Sequence, residues 1–335
     1  MINTNKKYVA DFLNELSQAK IDEQIMSILK TYLDGNIELK ASSPFKPMQG
    51  CEEWISGLWG PLLKSFPDLQ IQPYILMGGE YKETSCVSTT GNIIGTFSQD
   101  WLEIPKTDQP MWIRYAAHFV IENGKISKAW FFFDMLDVLR QAGFNFFPNR
   151  AIECVPPGPM TGDGVSLQDS DPKESKKSLE LTANMLDGLG SYDGKSLESM
   201  GQERFWHEEK MMWYGPSGIG TTRGLKGFQK YHQVPFITAF PDRGITEKTD
   251  ATQFAQFADG NYSCDFGFPA MYGTHLGDGW LGLKASGIKC YPRVVDFWRR
   301  EGNKLVENWV FIDMIDMLGQ LGIDVFEKLK NHRNG

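Results

Sequence analysis

Features that would point to several common classes of protein are missing from this sequence. Lysine and arginine form no run and the formal net charge is −8, so neither a nucleic acid nor an anionic membrane is expected as the main partner. No stretch approaches the roughly 20 apolar residues that span a bilayer, and the first residues lack the apolar core of a signal peptide. The five cysteines are odd in number and form no CxxC pair, which favours free thiols over a disulfide framework. We therefore expect a cytoplasmic protein.

Sequence patterns for metals and nucleotides are also missing. The five histidines are scattered, and residues 207–210 read HEEK instead of the HExxH of zinc proteases. The glycine-rich segment 215–224 matches neither a phosphate-binding loop nor a dinucleotide fingerprint, and we interpret it as shaping the mouth of a pocket. We expect no metal and no cofactor.

The sequence does contain a long internal repeat. Residues 131–143 (FFFDMLDVLRQAG) and 310–322 (VFIDMIDMLGQLG) align at a fixed spacing, and the same spacing pairs Trp130 with Trp309. A chain of 335 residues has room for two domains of about 150 residues. Residues 154–175 are rich in proline, glycine, serine and aspartate, as linkers are. We therefore predict domains over 1–153 and 176–335, joined by a linker over 154–175.

Both halves show the same order of elements. Helical spacing of apolar residues predicts helices over 8–33 and 54–66, and again over 179–189, 197–205 and 225–240. Alternation predicts strands over 70–77, 83–90, 93–102, 112–122 and 126–132, and over most of 245–312. Helices followed by a run of antiparallel strands predict an α+β fold, with helices on one face of a curved sheet. Such a layout encloses a pocket for a small ligand.

Several motifs recur in this order. The second half contains Gly273-Thr274-His275, Asp296-Phe297-Trp298-Arg299, Lys304-Leu305-Val306-Glu307 and Trp309, and the first half has a weaker set with Gly95-Thr96-Phe97 and Trp130. Together they resemble the SnoaL-like polyketide cyclases of the nuclear transport factor 2-like superfamily. The resemblance implies two tandem cone domains that associate as the subunits of a homodimer would, with further homo-oligomerisation left open.

The resemblance also implies a chemistry without metal or cofactor, in which a pocket carboxylate takes a proton beside a ketone. Family members place a polar residue on the strand before a Gly-Lys turn and an aspartate directly after the tryptophan of the last strand. The first position is Ala117 in the first domain and Asp296 in the second. The second position is Phe131 and Val310. The first domain is therefore expected to be degenerate, and the second keeps one candidate.

Asp296 is the predicted general base. It shares a strand face with Val294 and Trp298, and a carboxylate among such neighbours in a dry pocket is expected to have a raised pKa. The alternative is a carboxylate paired with an arginine. His275 is its predicted hydrogen-bond partner, or else a polar residue at the rim. The predicted substrate-binding residues, which could instead be core filler, are Trp213, Tyr214, His232, Phe236, Trp280 and Trp298.

Other repeated residues have structural interpretations. Asp134 and Asp313 precede a helix in each half and are predicted to be N-caps. Arg114 and Arg293 are predicted to form salt bridges across the sheet. His118 is predicted to face away from the pocket, because strand alternation points Ala117 toward it.

Three functional hypotheses follow. The first is a cofactor-independent acid/base enzyme of the cyclase or isomerase type, acting on a small, apolar carbonyl compound. The second is a non-catalytic protein that binds a small apolar or aromatic ligand, and the third is a structural scaffold. An enzyme requires Asp296 and a second polar group to converge in a pocket of the second domain. A binding protein needs only an aromatic-walled cavity, and in a scaffold both cavities would be filled.

Overall fold

The computed structural model of the protein describes residues 2–147, 150–245 and 253–334. Its contacts divide the chain into two compact units. The first comprises residues 1–145, 157–169 and 324–335, and the second comprises 146–156 and 170–323. Part of the segment interpreted as a linker therefore packs on the first unit, where the backbone N–H of Leu76 donates a hydrogen bond to the Gly164 carbonyl at 2.8 Å.

The first unit packs helices against one six-stranded sheet. The helices are α1 (Ile2–Gln18), α2 (Asp22–Tyr32), α3 (Gly50–Trp54), α4 (Gly60–Ser65) and α5 (Met135–Gln141), and a π-helical turn (Ile55–Trp59) joins α3 to α4. The strands are β1 (Leu33–Ala41), β2 (Met48–Gln49), β3 (Gln70–Tyr81), β4 (Thr84–Thr96), β5 (Pro110–Glu122) and β6 (Lys125–Phe133). The sheet order is β2-β1-β6-β5-β4-β3, antiparallel except for the β1–β6 pair.

The second unit repeats this plan. Its helices are α6 (Pro172–Gly190), α7 (Gly224–Phe228), α8 (Val234–Ala239) and α9 (Met314–Gln320), with a π-helical turn (Gln229–Gln233) between α7 and α8. Its strands are β7 (Met212–Tyr214), β8 (Thr221–Arg223), β9 (Gly244–Ile245), β10 (Gln253–Asp259), β11 (Tyr262–Phe268), β12 (Met271–Thr274), β13 (Lys289–Cys290), β14 (Val294–Glu301) and β15 (Lys304–Ile312). The main sheet has the order β10-β11-β14-β15-β7-β8, and β13-β12-β9 form a smaller one. The last helix, α10 (Val325–Asn334), belongs to the first unit.

The predicted fold class, two tandem α+β domains, is confirmed, with corrections in detail. Each main sheet contains one parallel pair, so it is not wholly antiparallel. The two strands expected over 83–102 form the single strand β4. A side chain at Gly91 would collide with the backbone of Gln72 on β3, so this glycine permits close strand approach and does not mark a turn. The helix expected over 197–205 is two 3₁₀ turns, which are separated by Gly201 at φ +57°.

The repeated aspartates start helices, as predicted. Asp134 and Asp313 each accept a hydrogen bond from the backbone N–H three residues on, at 3.3 and 3.1 Å. Arg114 and Arg293 form the predicted salt bridges with them, at 3.9 and 3.1 Å. These shared side chains stabilise the strand-to-helix junction in both copies.

In a second shared motif, an aspartate that follows a helix is hydrogen-bonded to the threonine that ends a strand. Asp68 accepts hydrogen bonds from the backbone N–H and hydroxyl of Thr96, both at 2.7 Å. Asp242 binds Thr274 in the same way, at 2.7 and 2.6 Å. These bonds hold the pKa of both carboxyls below the usual range. Asp68 and Asp242 end a Phe-Pro-Asp sequence that occurs at 66–68 and again at 240–242, so this repeat and the Gly-Thr repeat serve the fold.

Aromatic side chains fill the space between helices and sheet in the first unit. Phe131 is 1% exposed, and its ring lies 5.9 Å from Trp54, 5.9 Å from Trp59 and 5.6 Å from Phe119 between centroids. His118 lies on the opposite face of β5, as predicted, with Nδ1 2.7 Å from the Ser88 hydroxyl. The position of Phe131 is therefore packed with aromatic rings.

Candidate functional site

The second unit encloses a cavity of about 380 Å³ between its helices and its main sheet. This volume lies within the range of small-molecule sites, about 300–1,000 Å³. Strands β10, β11, β14 and β15 contribute one wall, while α6, the π-helical turn and α8 contribute the other. The cavity is therefore a candidate ligand site.

A row of polar side chains crosses the sheet at this cavity. Gln256, Asp265, Asp296 and Val310 lie directly opposite one another on four neighbouring strands, and all four line the cavity. Directly opposed residues place their Cβ atoms about 5 Å apart on one face. The Gln256 amide donates a hydrogen bond to Asp265 Oδ2 at 3.4 Å. Two carboxylates thus face the same small space, and this is the arrangement that the enzymatic hypothesis requires of Asp296 and a second polar group.

Asn308 fixes the orientation of Asp296. Its Nδ2 donates to Asp296 Oδ1 at 3.0 Å and to the Phe297 carbonyl at 3.1 Å. Asn308 is 3% exposed, so its rotamer is held by packing as well as by these bonds. A carboxylate held in this way presents a defined geometry to a bound ligand.

The helical wall is aromatic. The π-helical turn presents His232, whose ring stacks on Trp213 at 4.2 Å and on Phe236 at 5.7 Å between centroids. Burial, with a smaller effect of the nearby Arg243 charge, lowers the pKa of His232 to about 3. The imidazole is therefore neutral near pH 7 and forms part of an apolar, stacked surface.

Three polar atoms of the cavity-lining residues have no hydrogen-bond partner among the described residues. They are Nδ1 of His232, Oε1 of Gln233 and Nε1 of Trp298. Buried polar groups are normally satisfied, and a ligand or an ordered water is the usual partner when protein groups are not. These three atoms are hydrogen-bonding groups that a bound ligand could satisfy.

Five of the predicted site residues line this cavity: Asp296, Trp213, His232, Phe236 and Trp298. They come from the two elements that face each other, the main sheet and the helix containing the π-helical turn. Asp296 and Trp298 share the face that strand alternation indicated.

Tyr214, His275 and Trp280 do not line it, which corrects the prediction for them. Tyr214 directly follows Trp213, so it points to the other sheet face, where it stacks on Trp309 at 5.3 Å. His275 directly follows β12 of the smaller sheet and stacks on Phe240 at 5.2 Å. Burial lowers its pKa, and Trp280 packs edge-on against the same Phe240 at 5.4 Å. His275 is therefore not placed to assist Asp296.

Sequence reasoning missed Asp265, Asn308 and Arg243. Asn308 could have been found, because it stands two residues before Val310 and alternation puts both on one face. Asp265 required the pairing register of β11 and β14, which no local pattern specifies. Arg243 lies in the short segment after α8, outside any periodic pattern.

The equivalent row in the first unit is Leu76, Thr89, Ala117 and Phe131. Its one polar side chain, Thr89, donates its hydroxyl to the Ile75 carbonyl at 2.7 Å. Neither carboxylate has a counterpart there. The polar row is therefore a feature of the second domain.

Among the residues that the structure describes, no group of three or more His, Cys, Asp or Glu side chains is arranged to hold a metal ion. Over the same part of the chain, no helix has both the length and the apolar character needed to cross a membrane.

Comparison with known protein families gives one match. Residues 9–142, which lie in the first domain, match the model of the SnoaL-like polyketide cyclases. The first domain is therefore similar to that family. The match lies in the first domain, although the motifs quoted above are fuller in the second. No curated protein matches the sequence significantly.

Several solved structures are similar to this chain, and each of them covers about two-fifths of it. AclR from Streptomyces galilaeus is 17% identical over 43% of this chain and 98% of its own, with a TM-score of 0.36. A SnoaL-like polyketide cyclase from Agrobacterium tumefaciens is 19% identical over 42% of this chain and 98% of its own, with a TM-score of 0.33. IdmH from Streptomyces antibioticus is 19% identical over 40% and 97%, also with a TM-score of 0.33.

Proposed function

We propose that the second domain is a cofactor-independent acid/base enzyme of the cyclase or isomerase type. Its substrate is a small, largely apolar carbonyl compound that fills the cavity between the aromatic wall and the sheet. The observation that supports this most directly is the pair of opposed carboxylates, Asp265 and Asp296, on the cavity wall.

The chemistry assigned to Asp296 is a proton transfer. Its carboxylate takes a proton from the carbon beside a ketone, and the electron pair of the broken C–H bond becomes an enolate. In a cyclisation the enolate carbon bonds to a second carbonyl carbon, and the resulting alkoxide takes the proton back from Asp296. In an isomerisation the proton returns to another carbon. Neither route consumes an oxidant or a second substrate.

A non-catalytic binding protein is the second candidate. It is favoured by Val310, which stands where family members carry an aspartate. The stacked wall of Trp213, His232 and Phe236 also suits binding of a flat ligand without any reaction. A scaffold with both interiors filled is not supported, because the second unit has a cavity of about 380 Å³.

Deuterium exchange of 2-tetralone in D₂O, followed by NMR, tests the enzymatic proposal. This ketone is small, apolar and acidic beside its carbonyl. We expect the protein to accelerate exchange above the buffer rate and Asp296→Asn to reduce that acceleration by about 10²–10⁴-fold, the usual contribution of a general base. Asp278→Asn is the matched control, because this exposed carboxylate pairs with Lys284 at 2.8 Å and does not line the cavity.

The outcomes separate the two candidates. If Asp296→Asn exchanges as fast as the unmodified protein, Asp296 is not the base. If 2-tetralone binds, as shown by quenching of tryptophan fluorescence, but exchanges only at the buffer rate, the binding-protein alternative is supported.

A further inference from the structure

Arg243 lines the cavity, whereas most arginine side chains lie on the protein surface. It occupies the segment between α8 and β9, and Pro241 and Gly244 beside it also line the cavity. Its backbone N–H donates to the Phe240 carbonyl at 3.3 Å. The neighbouring Asp242 is engaged by Thr274 through two hydrogen bonds, so the segment is held in place and this carboxylate is committed elsewhere.

The guanidinium of Arg243 has no carboxylate at ion-pair distance among the described residues. The side chain is half-buried, and its guanidinium carbon lies 5.4 Å from the centroid of the Tyr192 ring. Burial lowers the pKa of Arg243, partly offset by Tyr192, but arginine remains charged at neutral pH. A partly desolvated cation without a counter-ion is unfavourable, and buried charges are normally paired.

Charge is divided between the walls of the cavity. Asp265 and Asp296 belong to the main sheet and Asp187 to α6, whereas Arg243 directly precedes a strand of the smaller sheet. Among the lining residues that the structure describes, Arg243 is the only lysine or arginine. Neutral His232 and the aromatic rings stand on the helical wall. A ligand that enters this cavity therefore meets one cationic side chain and, on other elements, the carboxylates of Asp187, Asp265 and Asp296.

We propose that the natural ligand carries a carboxylate and that Arg243 binds it. The planar guanidinium matches a carboxylate through two parallel hydrogen bonds. The apolar part of the ligand would lie along the aromatic wall, with its reactive carbonyl end toward Asp296. This inference rests on the proposed function only in that the cavity must bind a small molecule, and its test needs no turnover.

A matched pair of probes tests it: 2-naphthoic acid, which is anionic at pH 7.5, and 2-naphthamide, which has the same shape without charge. Binding is followed by quenching of tryptophan fluorescence and by calorimetry on the full chain. We expect the acid to bind about 10- to 100-fold more tightly than the amide, as one charge-assisted hydrogen-bonded pair provides. Arg243→Gln should remove this preference, and Arg243→Lys should keep part of it. Arg223→Gln is the control, because Arg223 is exposed on β8 and does not line the cavity.

Each outcome bears on the inference. Equal affinity of the unmodified protein for acid and amide overturns it and leaves the proposed function standing. Binding of neither probe overturns both. A preference that survives Arg243→Gln, or that is lost equally in Arg223→Gln, shows that another residue selects the charge. Circular dichroism of each variant confirms that it is folded, and the Arg243→Lys result supports the assignment independently of Arg243→Gln.

Discussion

Exchanging Phe131 and Val310 tests the difference between the two domains directly. Each residue directly follows the tryptophan of its last long strand, and each lies opposite the corresponding residue of the neighbouring strand, Ala117 or Asp296. Phe131 is packed among aromatic rings, whereas Val310 is 5% exposed and borders the cavity. Phe131→Val should therefore be costly, and Val310→Phe should be tolerated.

The cost of Phe131→Val can be worked from its surroundings. Valine is about 50 Å³ smaller than phenylalanine, and a residual cavity costs about 24 cal/mol per Å³, which gives roughly 1 kcal/mol. Lost burial of the removed carbons contributes roughly 1 kcal/mol. Weakened ring contacts with Trp54, Trp59 and Phe119 contribute roughly 1 kcal/mol more. The expected loss in free energy of unfolding is about 3 kcal/mol.

The reverse change places a ring in available space. Val310→Phe adds about 50 Å³ to a site whose cavity is about 380 Å³, so the free energy of unfolding should change by no more than about 1 kcal/mol. The added ring should also weaken binding of 2-naphthoic acid, because it occupies ligand volume. Phe131→Val should leave that binding unchanged.

Urea denaturation of the full chain, followed by tryptophan fluorescence and circular dichroism, measures both variants. The reasoning is refuted if Phe131→Val costs less than about 1 kcal/mol, or if the two variants are equally destabilising. Either result would mean that the two positions have similar packing. The distinction between a packed position at Phe131 and a position beside the cavity at Val310 would then be wrong.

Three further variants test single interactions by urea denaturation. Asp242→Ala removes both bonds to Thr274 and should cost about 1–2 kcal/mol, whereas a cost near zero would show that the motif is not stabilising. Asp313→Ala removes an N-cap and should cost about 1 kcal/mol, and Asp313→Asn, which can still cap, should recover most of it. Burial lowers the pKa of His118 to about 3. The unfolded chain therefore takes up a proton near pH 6.5 that the folded chain does not, and stability falls as the pH is lowered. From pH 7 to pH 5 this residue should remove about 2 kcal/mol, a loss that His118→Asn should abolish.

The fold could be predicted because its determinants are local and occur twice. Helical spacing, strand alternation and the aspartate caps each act over a few residues. The errors in the predicted strands and in their pairing have non-local causes. Gly91 looks like a turn signal, but it lies where the backbone of β3 approaches β4. The two parallel strand pairs join segments far apart in the chain, and no short pattern announces them.

The residues that line the cavity could be predicted only where a single strand determined them. Asp296 and Trp298 followed from alternation within β14. His275 was placed beside Asp296 because both belong to the same recurring motifs, but order along the chain does not fix distance in space. His275 is held in the core behind Phe240, which itself packs at 5.1 Å on Phe236 of the cavity wall. Asp265 faces Asp296 only through the pairing of β11 with β14.

The two copies, compared by their strand pairing, separate residues that serve the fold from residues that form the site. Side chains shared at equivalent positions make the same hydrogen bonds in both units. Examples are the capping aspartates and the aspartates that bind a threonine, Asp68 with Thr96 and Asp242 with Thr274. Several side chains that differ lie on the cavity wall of the second unit. Asn308 pairs with Trp213 where Ala129 pairs with Leu39 in the first unit. The π-helical turns start at Ile55 and Gln229, so His232 corresponds to Leu58 and Gln233 to Trp59. Asp296, Asn308, His232 and Gln233 all line the cavity, which is what selection for a ligand would leave and what packing alone would not require.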